Sequence, residues 1–178
     1  AKEEGSESGP MLRFVNAVAA DIAKQYPQMM IHTLAYTYTE AAPKYVQPAT
    51  NVLVQLCSMG CYFDVPLDHP ANARFRDNLL QWSKVTKNLF VWDYVANFSD
   101  SVVPYPNLQV LGANVRLFAE NNVIGLFAQG DTFSMCGDMV RLRTWVLSHL
   151  VWNPSRDQQK LTDEFLRGYY GAAAPSIA

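Results

Sequence analysis

The chain has 178 residues, of which 49% are hydrophobic and 17% charged, so it can bury the core of one ordinary domain and is not intrinsically disordered. Its 14 Lys and Arg residues against 16 Asp and Glu residues give a net charge of −2, and no basic patch stands out, which argues against a nucleic-acid partner. No apolar run approaches the roughly 20 residues that a membrane-spanning helix needs, so we expect no membrane span.

Helical and extended patterns alternate from the start of the chain. Gly9 and Pro10 open a first helix, whose apolar residues recur at helical spacing as far as Ile22. Two strand patterns follow, at residues 29–38 and 51–58. The twelve residues 39–50 between them predict a crossover of irregular form.

The remaining patterns repeat a helix and a strand in turn. Because strands that alternate with helices favour parallel pairing through crossovers, we predict an α/β fold with four parallel strands and flanking helices. Two architectures fit this order: the second half of a (β/α)₈ barrel and a small doubly wound sheet. The predicted elements are helical stripes at 75–85, 108–118 and 139–150, strands at 89–95 and 123–129, and a last helix opened by the capping-box pair Ser155 and Gln158.

The predicted strands end on polar and aromatic residues, at the edge where parallel α/β folds place ligand sites. Alternate side chains of a strand share a face, so we predict that Gln55, Cys57, Asp93 and Gln129 point away from the helices, towards a barrel centre. The candidate site residues at or after the strand ends are Tyr36, Tyr38, Gln55, Trp92, Asp93, Tyr94, Asn97, Gln129 and Asp131.

Asp93 is the candidate catalytic residue. A carboxyl group within the run Leu-Phe-Val-Trp-Asp-Tyr-Val is costly to bury unless it is functional or paired, so a structural hydrogen-bonding role is the alternative. The aromatic strand ends suit a sugar, because aromatic rings stack on the C–H faces of pyranose rings. Cleavage of a glycosidic bond needs two carboxyl groups, and no second one is evident at a strand end. A turn role explains Asp131 equally well.

The cysteines and glycines indicate neither a metal nor a cofactor. An odd number of cysteines excludes a full disulfide framework but leaves one bridge open. Cys57 and Cys61 are spaced C-x₃-C, with His69 and Cys136 as further candidate ligands, whereas structural zinc sites normally have two well-spaced pairs. No dinucleotide-binding glycine motif and no P-loop occurs in the sequence.

Four stretches resemble a known family. They are residues 8–19, 34–38, 89–98 and the pair 150–154 with 165–175, and the last pair is quite specific. On these residues the chain resembles bacterial proteins that carry the domain of unknown function 4838, described as glycoside-hydrolase-like. The resemblance implies a barrel similar to those of hexosaminidases and α-glucuronidases. Residues 1–178 would then be a single unit that forms strands five to eight, without the N-terminal half.

The resemblance also implies a function. It implies a carbohydrate ligand and glycan or polysaccharide breakdown by a secreted, periplasmic or cell-surface bacterial protein. The family pattern often has Glu at the position of Ala128, and the related hydrolases keep an essential acid on strand four. We therefore expect the isolated chain to be inactive, and to associate with itself or with its missing half. The alternatives are a non-catalytic carbohydrate-binding barrel and an interaction module without a ligand.

Overall fold

The structure is a computed structural model that describes residues 1–131 and 137–177. Cys136 and the other residues between these two ranges lie outside the description. The strands are β1 (Ile31–Ala35), β2 (Val52–Cys57), β3 (Leu89–Tyr94) and β4 (Val123–Gln129), and the helices are α1 (Ser8–Ala23), α2 (Ala73–Val85), α3 (Leu111–Glu120), α4 (Val140–Trp152) and α5 (Gln158–Tyr170).

The strands form one sheet in the order β1-β2-β3-β4, and each neighbouring pair is parallel. The predicted α/β fold with four parallel strands and flanking helices is therefore confirmed. The β1–β2 connection is irregular, with one short 3₁₀ turn at Thr37–Thr39, as its length and composition predict. No helix among the described residues is long and apolar enough to cross a membrane.

The strand register decides which side chains share a face of the sheet. Leu56 pairs with Val91, and the next residues along, Cys57 and Trp92, pair with each other. Register partners in a parallel sheet point to the same side, and consecutive residues point to opposite sides. The sheet therefore has one face that carries Leu56 and Val91 and a second face that carries Cys57 and Trp92.

The helices cover the face of Leu56 and Val91. Side chains that are completely buried there each contribute roughly 1.5–3 kcal/mol through the apolar surface they remove from water. A second cluster joins α3, α4 and α5 beside β4. The first cluster combines Ala35, Val52, Val54, Leu56, Leu89 and Val91 of the sheet with Leu12 and Ala19 of α1, Phe75, Leu79 and Trp82 of α2 and Phe118 of α3.

A buried carboxylate ties the start of the chain to the β1–β2 connection. The side chain of Glu4 accepts hydrogen bonds from the backbone N–H groups of Tyr45 (2.8 Å) and Val46 (3.0 Å) and pairs with Arg13. The hydrogen bond from Val46 is the main reason why the pKa of Glu4 is lowered. A Cβ atom on Gly9 would lie 2.3 Å from Cγ of Glu4, so this contact requires glycine at the start of α1.

The predicted cap of the last helix is wrong by two residues. Helix α5 begins at Gln158, and its N-cap is Asp157, whose side chain accepts a hydrogen bond from the backbone N–H of Lys160 at 3.1 Å. Ser155 instead donates its backbone N–H to Oδ1 of Asn153. This local turn holds Ser155 outside the helix.

Candidate functional site

An open cleft of about 590 Å³ lies at the carboxyl ends of the strands, on the sheet face that the helices leave open. Its lining comes from all four strands and from the loops that follow β2 and β3. The sheet and its strand ends contribute Leu34, Tyr36, Cys57, Trp92, Tyr94 and Gln129, and the loops contribute Met59, Phe63, Ala96, Asn97, Phe98, Ser99 and Tyr105.

Aromatic rings form a continuous wall in this cleft. Alternation along β3 puts Trp92 and Tyr94 on the open face, where their ring centroids are 6.3 Å apart and nearly parallel. The ring centroids of Tyr94 and Phe63 are 6.4 Å apart, and those of Phe63 and Tyr105 are 6.2 Å apart. Outside the cleft lining, Phe127 packs edge to face against Trp92, with ring centroids 4.6 Å apart. Such contacts fix the rings relative to one another.

A hydrogen bond between neighbouring strands fixes the polar part of the cleft. The indole N–H of Trp92 donates to Oε1 of Gln129 at 2.7 Å. With its oxygen engaged, the Gln129 amide keeps its NH₂ group as a donor, and within the described residues that nitrogen donates to no other group. Gln55 lies on the same face, one layer below Cys57, and is 3% exposed. The predicted face of Gln55, Cys57 and Gln129 is therefore confirmed.

The predicted face of Asp93 is wrong. Asp93 pairs in register with Ala128 and shares the helix-covered face with Val91. The prediction failed because both sets of alternating side chains on β3 are largely apolar, so alternation alone did not show which face the helices cover. It is 3% exposed and accepts hydrogen bonds from the Ser58 hydroxyl (2.7 Å) and the backbone N–H of Tyr94 (3.1 Å). Burial raises its pKa, and both hydrogen bonds oppose that rise. Its catalytic role stays a prediction, and these contacts favour the structural alternative.

A family model described as Domain of unknown function (DUF4838) matches residues 1–178. The chain belongs to this family. No curated protein and no solved structure matches the chain.

The DUF4838 chain brings together some of its predicted site residues and leaves others apart. Tyr38 is 78% exposed and lies outside the cleft lining. Asp131 also lies outside the lining, where its Oδ1 accepts a hydrogen bond from the Ser101 hydroxyl at 3.0 Å. The predicted residues that do line the cleft are Tyr36, Trp92, Tyr94, Asn97 and Gln129.

Loop residues of the DUF4838 cleft escaped the sequence analysis. Phe63 and Tyr105 close the aromatic wall, and Met59 and Phe98 complete its edge. Periodicity assigns faces only within strands and helices, so it gives no orientation for these side chains. The available signal was compositional, since Tyr105 lies between two prolines that stiffen the loop after β3.

A buried arginine on α4 holds that loop in place. Arg143 is 5% exposed and donates from Nε to Oδ1 of Asn107 at 2.8 Å. Its terminal nitrogens donate to the carbonyl oxygens of Tyr105 (3.2 Å) and Asp138 (2.6 Å), and it pairs with the Asp138 carboxylate at 3.2 Å. Burial lowers the pKa of Arg143, and Asp138 opposes that shift. Sequence reasoning missed this residue because it lies within an apolar helix stripe.

The lining of the DUF4838 cleft, as far as the structure describes it, carries no Asp, Glu, Lys, Arg or His side chain. Burial is the main cause that raises the pKa of Cys57 to about 11 and that of Tyr94 to about 12. Both groups are therefore protonated near neutral pH, and Cys57 is not poised as a thiolate nucleophile. No cluster of three metal-binding side chains occurs in the described residues.

Proposed function

We propose that this chain is the C-terminal half of a (β/α)₈ barrel in a carbohydrate-active, glycoside-hydrolase-like protein, and that its cleft binds part of a glycan. The observation that carries the proposal is the aromatic and amide cleft at the carboxyl ends of the strands. This is the edge at which barrel proteins bind their ligands.

The strand order supports the barrel over the doubly wound alternative. The order β1-β2-β3-β4 has no reversal, and the helices pack on one face. A doubly wound sheet reverses its strand order at a switch point and covers both faces. A half-barrel leaves β1 and β4 as open edges that invite pairing. The missing N-terminal half, or a second copy of the chain, would cover these edges and the open face.

The chemistry of the lining supports a sugar ligand. The rings of Trp92 and Tyr94 provide apolar faces for the C–H groups of a pyranose. The NH₂ group of Gln129 can donate to a sugar hydroxyl. Tyr94, whose pKa burial raises, keeps its hydroxyl as both donor and acceptor near neutral pH. Rings for stacking and neutral hydrogen-bonding groups for hydroxyls are what a sugar requires.

Hydrolysis would depend on groups outside this lining. Glycosidases use two carboxyl groups on either side of the scissile bond, and none of the described lining residues is acidic. The acid pair would then come wholly or partly from the N-terminal half, and the isolated chain would be inactive. The same observation favours the second candidate function, a non-catalytic carbohydrate-binding barrel. A secreted, periplasmic or cell-surface location in a bacterium accompanies either proposal.

A glycan array probed with the full-length protein tests the binding function. We expect the natural protein to bind a set of oligosaccharides and the Trp92→Ala variant to lose that binding. Trp152→Ala is the matched control, since Trp152 is 91% exposed on α4 and lies outside the cleft. A folded full-length protein that binds no glycan would overturn the proposal. Turnover of aryl glycosides then separates an enzyme from a binding protein, and Asp93→Ala tests the predicted catalytic residue.

A further inference from the structure

We propose that the sugar unit bound over Trp92 and Tyr94 is uncharged: a neutral hexose, pentose or N-acetylated hexosamine, and not a uronic or sialic acid. This inference rests on the proposed function and names the substrate class of the same cleft. It follows from the polar groups that the cleft offers and from the charges that lie around it.

Two arginines approach residues beside the cleft, and each pairs with a carboxylate. Arg143 approaches Tyr105, but its donors are directed to Asn107, Asp138 and the Tyr105 carbonyl. Arg74 approaches Gly60, beside the cleft residue Met59, and pairs with Glu40 at 3.1 Å. In the described residues, a ligand carboxylate would meet no lining cation. Recognition of a carboxylate by proteins normally relies on such a cation, and most strongly on a bidentate arginine.

Carboxyl groups and one arginine act in opposite directions on the cleft tyrosines, and the Arg143 guanidinium lies 5.9 Å from the ring centroid of Tyr105. Burial is the main cause that raises the pKa of Tyr105, and the Asp93 carboxyl is the second. Arg143 lowers this pKa, and Asp64 raises it by a smaller amount. Asp93 also contributes to the raised pKa of Tyr94. A ligand carboxylate beside Tyr94 and Tyr105 would add to the effect of Asp93, and the Arg143 charge that opposes this effect is already paired with Asp138. This balance of charges disfavours an anionic ligand.

A neutral sugar has partners at the same place. The Gln129 NH₂ group is directed by the Trp92 hydrogen bond, and the carboxamide of Asn97 also lines the cleft. The hydroxyls of Tyr36 and Tyr94 both donate and accept. These groups match hydroxyl substituents without needing a change of protonation.

The test uses the full-length protein and matched oligosaccharide pairs that differ only at C6, where CH₂OH is replaced by a carboxylate. An array carries β-1,4-mannose against β-1,4-mannuronate oligomers, α-1,4-galactose against α-1,4-galacturonate oligomers, and the corresponding glucose and glucuronate pair. Isothermal titration calorimetry then compares the pair that binds. We expect the neutral member to bind at least about tenfold more tightly, which corresponds to ~1.4 kcal/mol.

Two variants of Gln129 sharpen the comparison. Gln129→Lys places a cation in the lining and is expected to bring uronate affinity up to or above neutral affinity. Gln129→Met, of similar size and uncharged, is expected to weaken neutral binding without gaining uronate binding. Melting temperatures check that both variants fold, and the comparison within the natural protein does not depend on either of them.

The outcomes separate this inference from the proposed function. Equal or tighter binding of the uronate member by the natural protein overturns the inference and leaves glycan binding intact. Binding of neither class by the folded protein overturns the proposed function, and this inference with it.

Discussion

The hydroxyl of Ser58, at the end of β2, donates a 2.7 Å hydrogen bond to Oδ1 of Asp93, near the end of β3. Both side chains are almost fully buried, at 1% and 3% exposure. The contact joins two neighbouring strand ends directly beneath the loops that form the cleft. Because one donor to Asp93 is a side chain and the other is a backbone N–H, the Ser58 hydrogen bond can be removed by a single substitution.

Removal of the Ser58 hydroxyl should destabilise the fold. Ser58→Ala leaves a buried carboxyl group with one fewer donor, and we expect the free energy of unfolding to fall by about 1–3 kcal/mol in urea titrations. Ser83→Ala is the control, because the Ser83 hydroxyl on α2 makes only a solvent-exposed hydrogen bond to the carbonyl oxygen of Leu80, and its loss should change stability by no more than about 0.5 kcal/mol. Equal stability losses in the two variants would contradict a structural role for the Ser58–Asp93 pair.

The stability of the chain should depend on pH through Asp93. Burial raises the folded-state pKa of Asp93 above its ordinary value of 3.8. At any pH between the ordinary and the folded-state pKa, the folded chain therefore holds a proton that the unfolded chain has lost. The stabilisation is complete below the ordinary value and is lost as the pH rises through the folded-state pKa. Relative to Asp93→Asn, the natural chain should therefore become less stable as the pH rises from 4 towards neutrality. A stability difference that stays constant over this range would show that Asp93 titrates normally.

Loss of Arg143 should loosen the loop after β3. Arg143→Met removes hydrogen bonds to Asn107, Tyr105 and Asp138, and bonds from a charged donor contribute about 1.5–3 kcal/mol each in favourable settings. We expect a stability loss of about 2–3 kcal/mol and faster amide hydrogen exchange across residues 95–107. Arg141→Met, on the exposed side of the same helix, should leave exchange in that loop unchanged. Unchanged amide hydrogen exchange in the Arg143→Met variant would show that Arg143 does not stabilise the loop after β3.

Strain in the backbone beside Tyr36 should be relieved by glycine. Thr37 has a φ of 50°, a left-handed conformation that is unfavourable for a β-branched residue. Relief of about 1–2 kcal/mol of strain against the ~0.5–1 kcal/mol entropic cost of glycine predicts that Thr37→Gly stabilises the chain by roughly 0.5–1 kcal/mol. Thr50→Gly lacks this strain and should destabilise. A lower melting temperature for Thr37→Gly would mean that the Thr37 side chain contributes more than its backbone costs.

The strands were predictable because their apolar runs are short and separated by turn residues and helical stripes. The predicted strand at 123–129 matches β4 at both ends, whereas the one at 29–38 extends past β1, which ends at Ala35. Beyond Ala35 the backbone turns at Thr37, and neither this turn nor its positive φ is encoded by a Gly or Asn that a sequence pattern would reveal.

The site was predictable only in part. The sheet face of Gln55 and of Gln129 was predicted correctly because each is a polar residue on an otherwise apolar strand face, but Gln55 is buried and does not line the cleft. The same argument failed for Asp93, since Leu89 and Val91 on one face and Phe90 and Trp92 on the other are all hydrophobic. The loop aromatics and Arg143 depend on tertiary contacts between segments that are distant in sequence, and no local pattern encodes such contacts.

The unreversed strand order also bears on how the chain is made. Each strand pairs with the strand synthesised before it, so the sheet can grow from β1 to β4 as the chain leaves the ribosome, without any strand having to insert between two others. The aromatic wall is largely present once the loop after β3 has been synthesised. Gln129, at the end of β4, arrives last, so the indole of Trp92 stays without its partner until the final strand docks. Vectorial synthesis would thus complete the polar half of the cleft as its last step.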